Sequence, residues 1–305
     1  METTLKRQLG NKEQLCSARK YVFADGPEKG QEIIEADNGK LHFMINASRA
    51  MDLGQLRYRG TNVSFISRNG FYGAETEFGS RFPAGMLYTC GLDSLSVQEN
   101  HAVHGRFHSV PAKVATVRDG ESIEVTGTIR QTALFGESLI VTRTIQTGYL
   151  SNELKITDVI ENDGFIDAHY VLLYHVNFGY PFLTEKTYIE APVLTTDAIT
   201  PYAEDAKDRA LLMELPGDDA LEKCFYHTVK EGKVKVVSPS TGLQAEVAYD
   251  HTSLQHLVEW RSMVSGAYAL GIEPSTSRFF DELQYLTLKP GEKKELTLTL
   301  TIKEL

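Results

Sequence analysis

Ionisable side chains set among glycine, proline and aromatic residues mark three places where this 305-residue chain could do chemistry. The first is His101-Ala-Val-His104-Gly105-Arg106-Phe107-His108. On a helix, histidines three and four apart share a face and could hold zinc. Gly105 and Pro111 argue against a helix, and on a strand His104 and His108 share a face while His101 points away from His104. No metal is therefore expected. The sharper reading is that His104 and Arg106 direct hydrogen bonds at a polar ligand, and the plainer one is a turn with solvated histidines. The second place is Tyr174-His175-Val176-Asn177-Phe178-Gly179-Tyr180-Pro181, after the apolar run Val171-Leu172-Leu173. A strand leaving the core there delivers an imidazole, an amide and aromatic rings, and Gly179 and Pro181 favour an abrupt exit. The alternative is a satisfied core histidine. The third place runs from Trp260-Arg261 to Gly271-Ile272-Glu273-Pro274. Pro274 restricts Glu273 to extended backbone. A carboxylate so placed is either a pocket base, with a pKa raised by burial, or a structural cap. Phe178, Tyr180 and Trp260 are rings that could line a ligand pocket, or core residues. Glu222 and His227 form a further polar pair, expected at the surface.

The elements that must position these groups read as β. From residue 40 to 46, Leu41, Phe43 and Ile45 fall on one face of a pleat and His42 and Met44 on the other. Residues 113–130 carry alternating valine and isoleucine around Asp119-Gly120, a hairpin signature, and residues 137–160 repeat the alternation. Pro290-Gly291, between Leu286-x-Leu288 and Leu296-x-Leu298-x-Leu300-x-Ile302, reads as another hairpin turn. Helical spacing is confined to the start of the chain (Leu5, Leu9, Leu15) and residues 203–215, while 251–263 fits neither period. With no strand–helix alternation, repeat or linker, the expectation is an all-β, antiparallel sandwich with a few short helices. It is expected as one domain over residues 26–305, with residues 1–25 as an N-terminal appendage.

Composition narrows the partners. There are 31 basic against 41 acidic side chains, a formal charge of −10, and no basic block, which disfavours nucleic acid and anionic membrane surfaces. The amino terminus has no apolar signal-like core, and no stretch is long enough to span a bilayer. Cys16, Cys90 and Cys224 are widely spaced, with no C-x-x-C, and are expected as inert, reduced thiols in a cytoplasmic protein. Phosphate-loop, dinucleotide, zinc-protease and nucleophile-elbow motifs are absent, so no cofactor is implied.

Taken in order, His104-Gly105-Arg106, Tyr174-His175-x-Asn177-Phe178-Gly179-x-Pro181 and Gly271-Ile272-Glu273-Pro274 resemble the aldose 1-epimerase (galactose mutarotase-like) superfamily. Within it, the chain is most similar to a branch known only as a domain of unknown function. The resemblance spans residues 40–302 and takes in Arg49-Ala-Met-Asp52 and Thr89-Cys90-Gly91-Leu92. It implies a β-supersandwich and a metal-free exchange of sugar anomers, with His104 binding the sugar, His175 as general acid and Glu273 as general base. Arg81, or less directly Arg49, matches the family's sugar-binding arginine. Two departures bear on specificity: the family's Gly-Gly is Gly105-Arg106, and its Asn-His before Tyr-Phe-Asn-Leu is Tyr174-His175 before Asn177-Phe178. The resulting expectation is an isomerase acting at the anomeric carbon of a small, unphosphorylated sugar. Glutamate would be ionised and accept a proton, and a histidine held protonated would donate one. The alternatives are a non-catalytic carbohydrate-binding or sensing protein, a hexose-phosphate epimerase using Arg106 or Arg261, and a lyase or hydrolase of related fold. They are separated by whether His175 and Glu273, 98 residues apart, face each other across a pocket about one sugar ring wide.

Overall fold

Alternation in the sequence becomes strand wherever one face meets the core: Leu41, Phe43 and Ile45 are buried while His42 and Met44 are part-exposed. The computed structural model describes residues 7–71, 82–95, 103–278 and 283–305. Arg81 and His101 lie outside them. The chain opens with β1 (Ser17–Val22), β2 (Glu32–Asp37), β3 (Leu41–Asn46), β4 (Asp52–Tyr58) and β5 (Thr61–Asn62), an antiparallel meander in that order. It continues through β6 (Leu87–Leu92), β7 (Lys113–Arg118), β8 (Ser122–Thr132), β9 (Ser138–Gly148), β10 (Glu153–Asn162) and β11 (Ala168–Phe178). Then come β12 (Tyr188–Glu190), β13 (Val193–Ala198), β14 (Lys223–Val229), β15 (Lys233–Ser238) and β16 (Leu243–Tyr249). The last are β17 (His256–Val264), β18 (Ala267–Ser275), β19 (Leu286–Leu288) and β20 (Lys293–Glu304).

One large sheet has the order β12-β15-β16-β20-β10-β9-β8-β7 and the other β13-β14-β17-β18-β11-β19, with β6 also paired to β11. The hairpin expected within residues 113–130 is β7–β8, and the alternation of residues 137–160 is β9–β10. Pro290-Gly291 does not close a hairpin. β19 pairs with β11 while β20 pairs with β10 and β16, so this turn carries the chain from one sheet to the other. The helical spacing at the start of the chain yields, near Leu15, only a 3-10 turn at Lys12–Gln14, and β1 then pairs with β2. Pro201–Arg209 is a 3-10 segment that buries Ala203 and Ala206 against Phe225. Residues 251–263 resolve mainly into β17, buried on both faces along most of its length, which is why neither period is clear.

The core between the sheets is apolar around one buried ionic centre. Arg143 holds Asp158 through Nε and Nη2 (2.8 and 2.7 Å), Asp52 through Nη1 (2.7 Å) and Thr89 through Nη2 (2.9 Å). The Tyr174 hydroxyl donates to Asp158 at 2.7 Å. Four residues from β4, β6, β9 and β10 are thereby tied to β11. With Tyr174 fixed on the inner face, period-2 geometry turns His175 to the outer face.

Candidate functional site

Sheet register assembles the site. β11 and β18 pair antiparallel at Leu173–Ser275 and again at Val176–Ile272, which sets His175 opposite Glu273. Tyr88 of β6 is the partner of His175 on its other side, and Val258 of β17 is the partner of Glu273. In the next row Asn177, Gly271, Trp260 and Cys224 are successive partners across β11, β18, β17 and β14. Directly opposed residues share a face, so one patch of the outer face carries His175, Asn177, Glu273, Trp260 and Tyr88.

Nε2 of His175 lies 3.0 Å from Oε1 of Glu273, and both side chains are 5 % exposed. The two are therefore in contact rather than a sugar ring apart, because adjacent strands place them directly opposite. Their contact is out of line for a hydrogen bond. Glu273 Oε1, His175 Nδ1 and Asn177 Oδ1 are thus buried polar atoms without a partner. Leaving such groups unmet costs about 1–3 kcal/mol each, which a hydroxyl-rich ligand would relieve. Asn177 is itself fixed, donating to the carbonyls of Gly85 and His175, both at 3.0 Å.

Burial favours the uncharged form of both groups. It pushes His175 well below the ordinary histidine range, helped by His104, and pushes Glu273 well above the ordinary carboxylate range, helped by Glu222. Both shifts run against the charged pair, a protonated histidine beside an ionised glutamate, that the family resemblance implies.

Gly271 makes room for this contact. A Cβ there would stand 2.5 Å from Glu273 Oε1 and 2.9 Å from His175 Cε1. Rings enclose the pair: Trp260 meets His175 edge-on at 5.3 Å, Phe82 lies 5.9 Å from it, and His104 meets it edge-on at 6.0 Å. His104 reaches this position from a left-handed backbone (φ 63°), followed by Gly105 (φ 74°). Gly105 cannot carry a side chain, since its Cβ would come within 2.3 Å of the Gly91 carbonyl. His108 is buried and stacked on Tyr88 at 4.4 Å. Among the described residues, no three histidine, cysteine, aspartate or glutamate side chains are grouped to hold a metal.

The structure thus brings together His104, His175, Asn177, Trp260 and Glu273. Arg106 turns away to pair with Asp93 and lines a separate recess with Gln131 and His169. Arg49 is buried, in a small recess shared with Asp52, Ala84 and Tyr88. Arg261 lies on the opposite face of β17 from Trp260, 2.8 Å from Glu259 and over the ring of Phe225. Phe178 is packed in the core against Phe182, and Tyr180 is 75 % exposed. The expected surface pair is divided: Glu222 accepts the Trp260 indole N–H at 2.8 Å, while His227 is buried on the far face, 2.7 Å from Glu259. Phe82 and Tyr88 were not legible as site residues, because neither sits in a motif and only the register of β6 on β11 brings Tyr88 there. The three cysteines are free and buried. Cys16 is pushed up to about 11 and Cys224 further still, chiefly by burial.

A family model described as a domain of unknown function, DUF4432, matches residues 28–302. The chain belongs to the DUF4432 family. No curated protein matches it in sequence. Among solved structures, a candidate aldose 1-epimerase from Klebsiella pneumoniae superposes with a TM-score of 0.84 at 21 % identity, covering 96 % of this chain and 86 % of that one. A galactose mutarotase-like protein from Clostridium acetobutylicum gives 0.70 at 13 % identity, covering 96 % and 100 %. A candidate mutarotase from Salmonella typhimurium gives 0.68 at 11 %, covering 94 % of each chain. These likenesses show the fold: this DUF4432 member is a galactose mutarotase-like β-sandwich. Among the described residues, no helix is long and apolar enough to cross a membrane.

Proposed function

We propose that the protein is an aldose 1-epimerase-like isomerase that interconverts the anomers of a small, unphosphorylated sugar. The observation that carries this reading is the buried His175–Glu273 contact on a sheet face walled by aromatic rings. Anomer exchange needs one proton taken from the C1 hydroxyl and one given to the ring oxygen; the ring opens, the C1–C2 bond rotates and the ring recloses. Both oxygens are bonded to the same carbon, so the acid and the base must converge rather than face each other across the ring. Two groups 3.0 Å apart can each lie within hydrogen-bonding reach of one of those oxygens. An uncharged pair holds one transferable proton. In ring opening His175 accepts from the C1 hydroxyl and Glu273 donates to the ring oxygen, the reverse of the roles the resemblance implies, and reclosure restores the pair. In this reading His104 and Asn177 hold hydroxyls, and Trp260 meets the C–H face of the sugar.

A neutral substrate is supported by the charges around the pair. Glu222 stands beside Trp260 and Glu273, while Arg106 and Arg261 are engaged elsewhere. The free, buried thiols support work in a reducing cytoplasm. The test is polarimetry on freshly dissolved α-anomers of pentoses, hexoses, deoxy sugars and uronic acids. At least one neutral sugar should reach anomeric equilibrium faster than in buffer, and His175→Asn should abolish the acceleration. Binding without acceleration would instead mark a carbohydrate-binding protein, and a product other than the second anomer would mark a lyase or hydrolase.

A further inference from the structure

Large apolar side chains crowd one end of the sandwich, away from the His175–Glu273 pair in the fold. The β8–β9 turn carries Leu134 and Phe135, 89 % and 97 % exposed, and the β10–β11 turn carries Phe165 and Ile166, 98 % and 56 % exposed. The two turns adjoin. The Asp163 N–H donates to the Ser138 carbonyl at 3.0 Å, Arg130 reaches Asp163 at 2.6 Å, and the His169 N–H donates to Glu137 at 2.7 Å. Side chains so fully solvated contribute nothing to the core, so folding does not explain their size and hydrophobicity.

Area and shape identify an occupant. Two phenylalanine rings offer about 300–500 Å² between them. With Leu134 and Ile166 the patch reaches roughly 600 Å², the upper end for monomers and close to the ~800 Å² per partner of a stable interface. Next to the β8–β9 turn lies a recess lined by Leu92, Ala133 and Leu139 among mostly polar side chains. A surface that carries both projections and a recess can be complementary to itself about a two-fold axis, as an isologous dimer requires.

We propose that a second copy of this chain docks here, the β8–β9 and β10–β11 turns of each copy packing on those of the other. The neighbouring recess includes Arg106, two residues along the chain from His104. The proposal is independent of the reaction assigned to that site.

Sedimentation velocity on the full chain across the micromolar range tests it. The wild type should sediment with twice the chain mass. The double variant Phe135→Ser/Phe165→Ser should sediment as a single chain with an unchanged circular dichroism spectrum, its dissociation constant raised by at least about tenfold per ring. Leu134→Gln alone should weaken the dimer, and Tyr202→Ser, at an exposed aromatic on the 3-10 segment Pro201–Arg209, should not. A wild type at any mass other than two chains would overturn the proposal, as would a folded double variant that dimerises like the wild type.

Discussion

Replacing Gly271 by alanine would put one methyl group into the tightest part of the site. The new Cβ would lie 2.5 Å from Glu273 Oε1, 2.9 Å from His175 Cε1 and 3.2 Å from His175 Nδ1. The carboxylate must retreat by about 0.5 Å to clear 3.0 Å and by about 0.9 Å to reach ordinary contact at 3.4 Å. Its far end can swing, whereas the His175 ring is held among Tyr88, Phe82 and Trp260, so Glu273 is the group that moves. Overpacking costs about 1–3 kcal/mol, partly offset by the ~0.5–1 kcal/mol gained when glycine leaves a strand. Folding should therefore survive with a melting temperature lowered by a few degrees. A displacement of about 1 Å in a catalytic group costs on the order of 10²-fold in rate. Gly271→Ala should accordingly lower kcat for anomer exchange by about 10²-fold, with a smaller change in KM. The assay is polarimetry or NMR exchange alongside a thermal melt. A variant with both the wild-type rate and the wild-type melting temperature would refute the reasoning, since the carboxylate would then have yielded without leaving its working position.

Glu222→Gln removes the charge that raises Glu273 while keeping an acceptor for the Trp260 N–H, so the alkaline limb of the pH–rate profile should move to lower pH. Trp260 is the chain's single tryptophan, so Glu222→Ala should alter the intrinsic emission spectrum, and sugar binding should alter that of the wild type. His104 depresses His175, so His104→Ala should move the acid limb, where His175 gains its proton, to higher pH. Arg143→Met leaves Asp52 and Asp158 buried without their cation and should cost about 3–5 kcal/mol in urea unfolding.

How far the sequence foretells this molecule depends on whether the signal is local. β3 and β8 to β10 bury one face each, so their alternation is plain. β6 and β11 are buried on both faces over almost all their length; alternation vanishes, and β6 stands out only through the family resemblance of Thr89-Cys90-Gly91-Leu92. Pro290-Gly291 is a genuine turn, but which strand each flank joins depends on partners more than a hundred residues away. The site divides in the same way. His175 and Glu273 were legible as residue types beside turn signals, and the lowering of His175 was not, because its burial depends on partners from distant strands. Arg106 carried a plausible role from its neighbours in sequence, yet Gly105 turns the chain so that His104 faces the pair and Arg106 faces Asp93.

The central claim is that His175 and Glu273 together take one proton from the C1 hydroxyl and pass one to the ring oxygen. Saturation-transfer NMR between the two anomer signals of a responsive neutral sugar measures that passage at equilibrium. The wild type should raise the exchange rate above that of buffer, and folded Glu273→Gln and His175→Asn should each lose about 10²–10⁴-fold of the increase. Exchange at the buffer rate with every sugar, or a folded variant that exchanges like the wild type, would contradict the account.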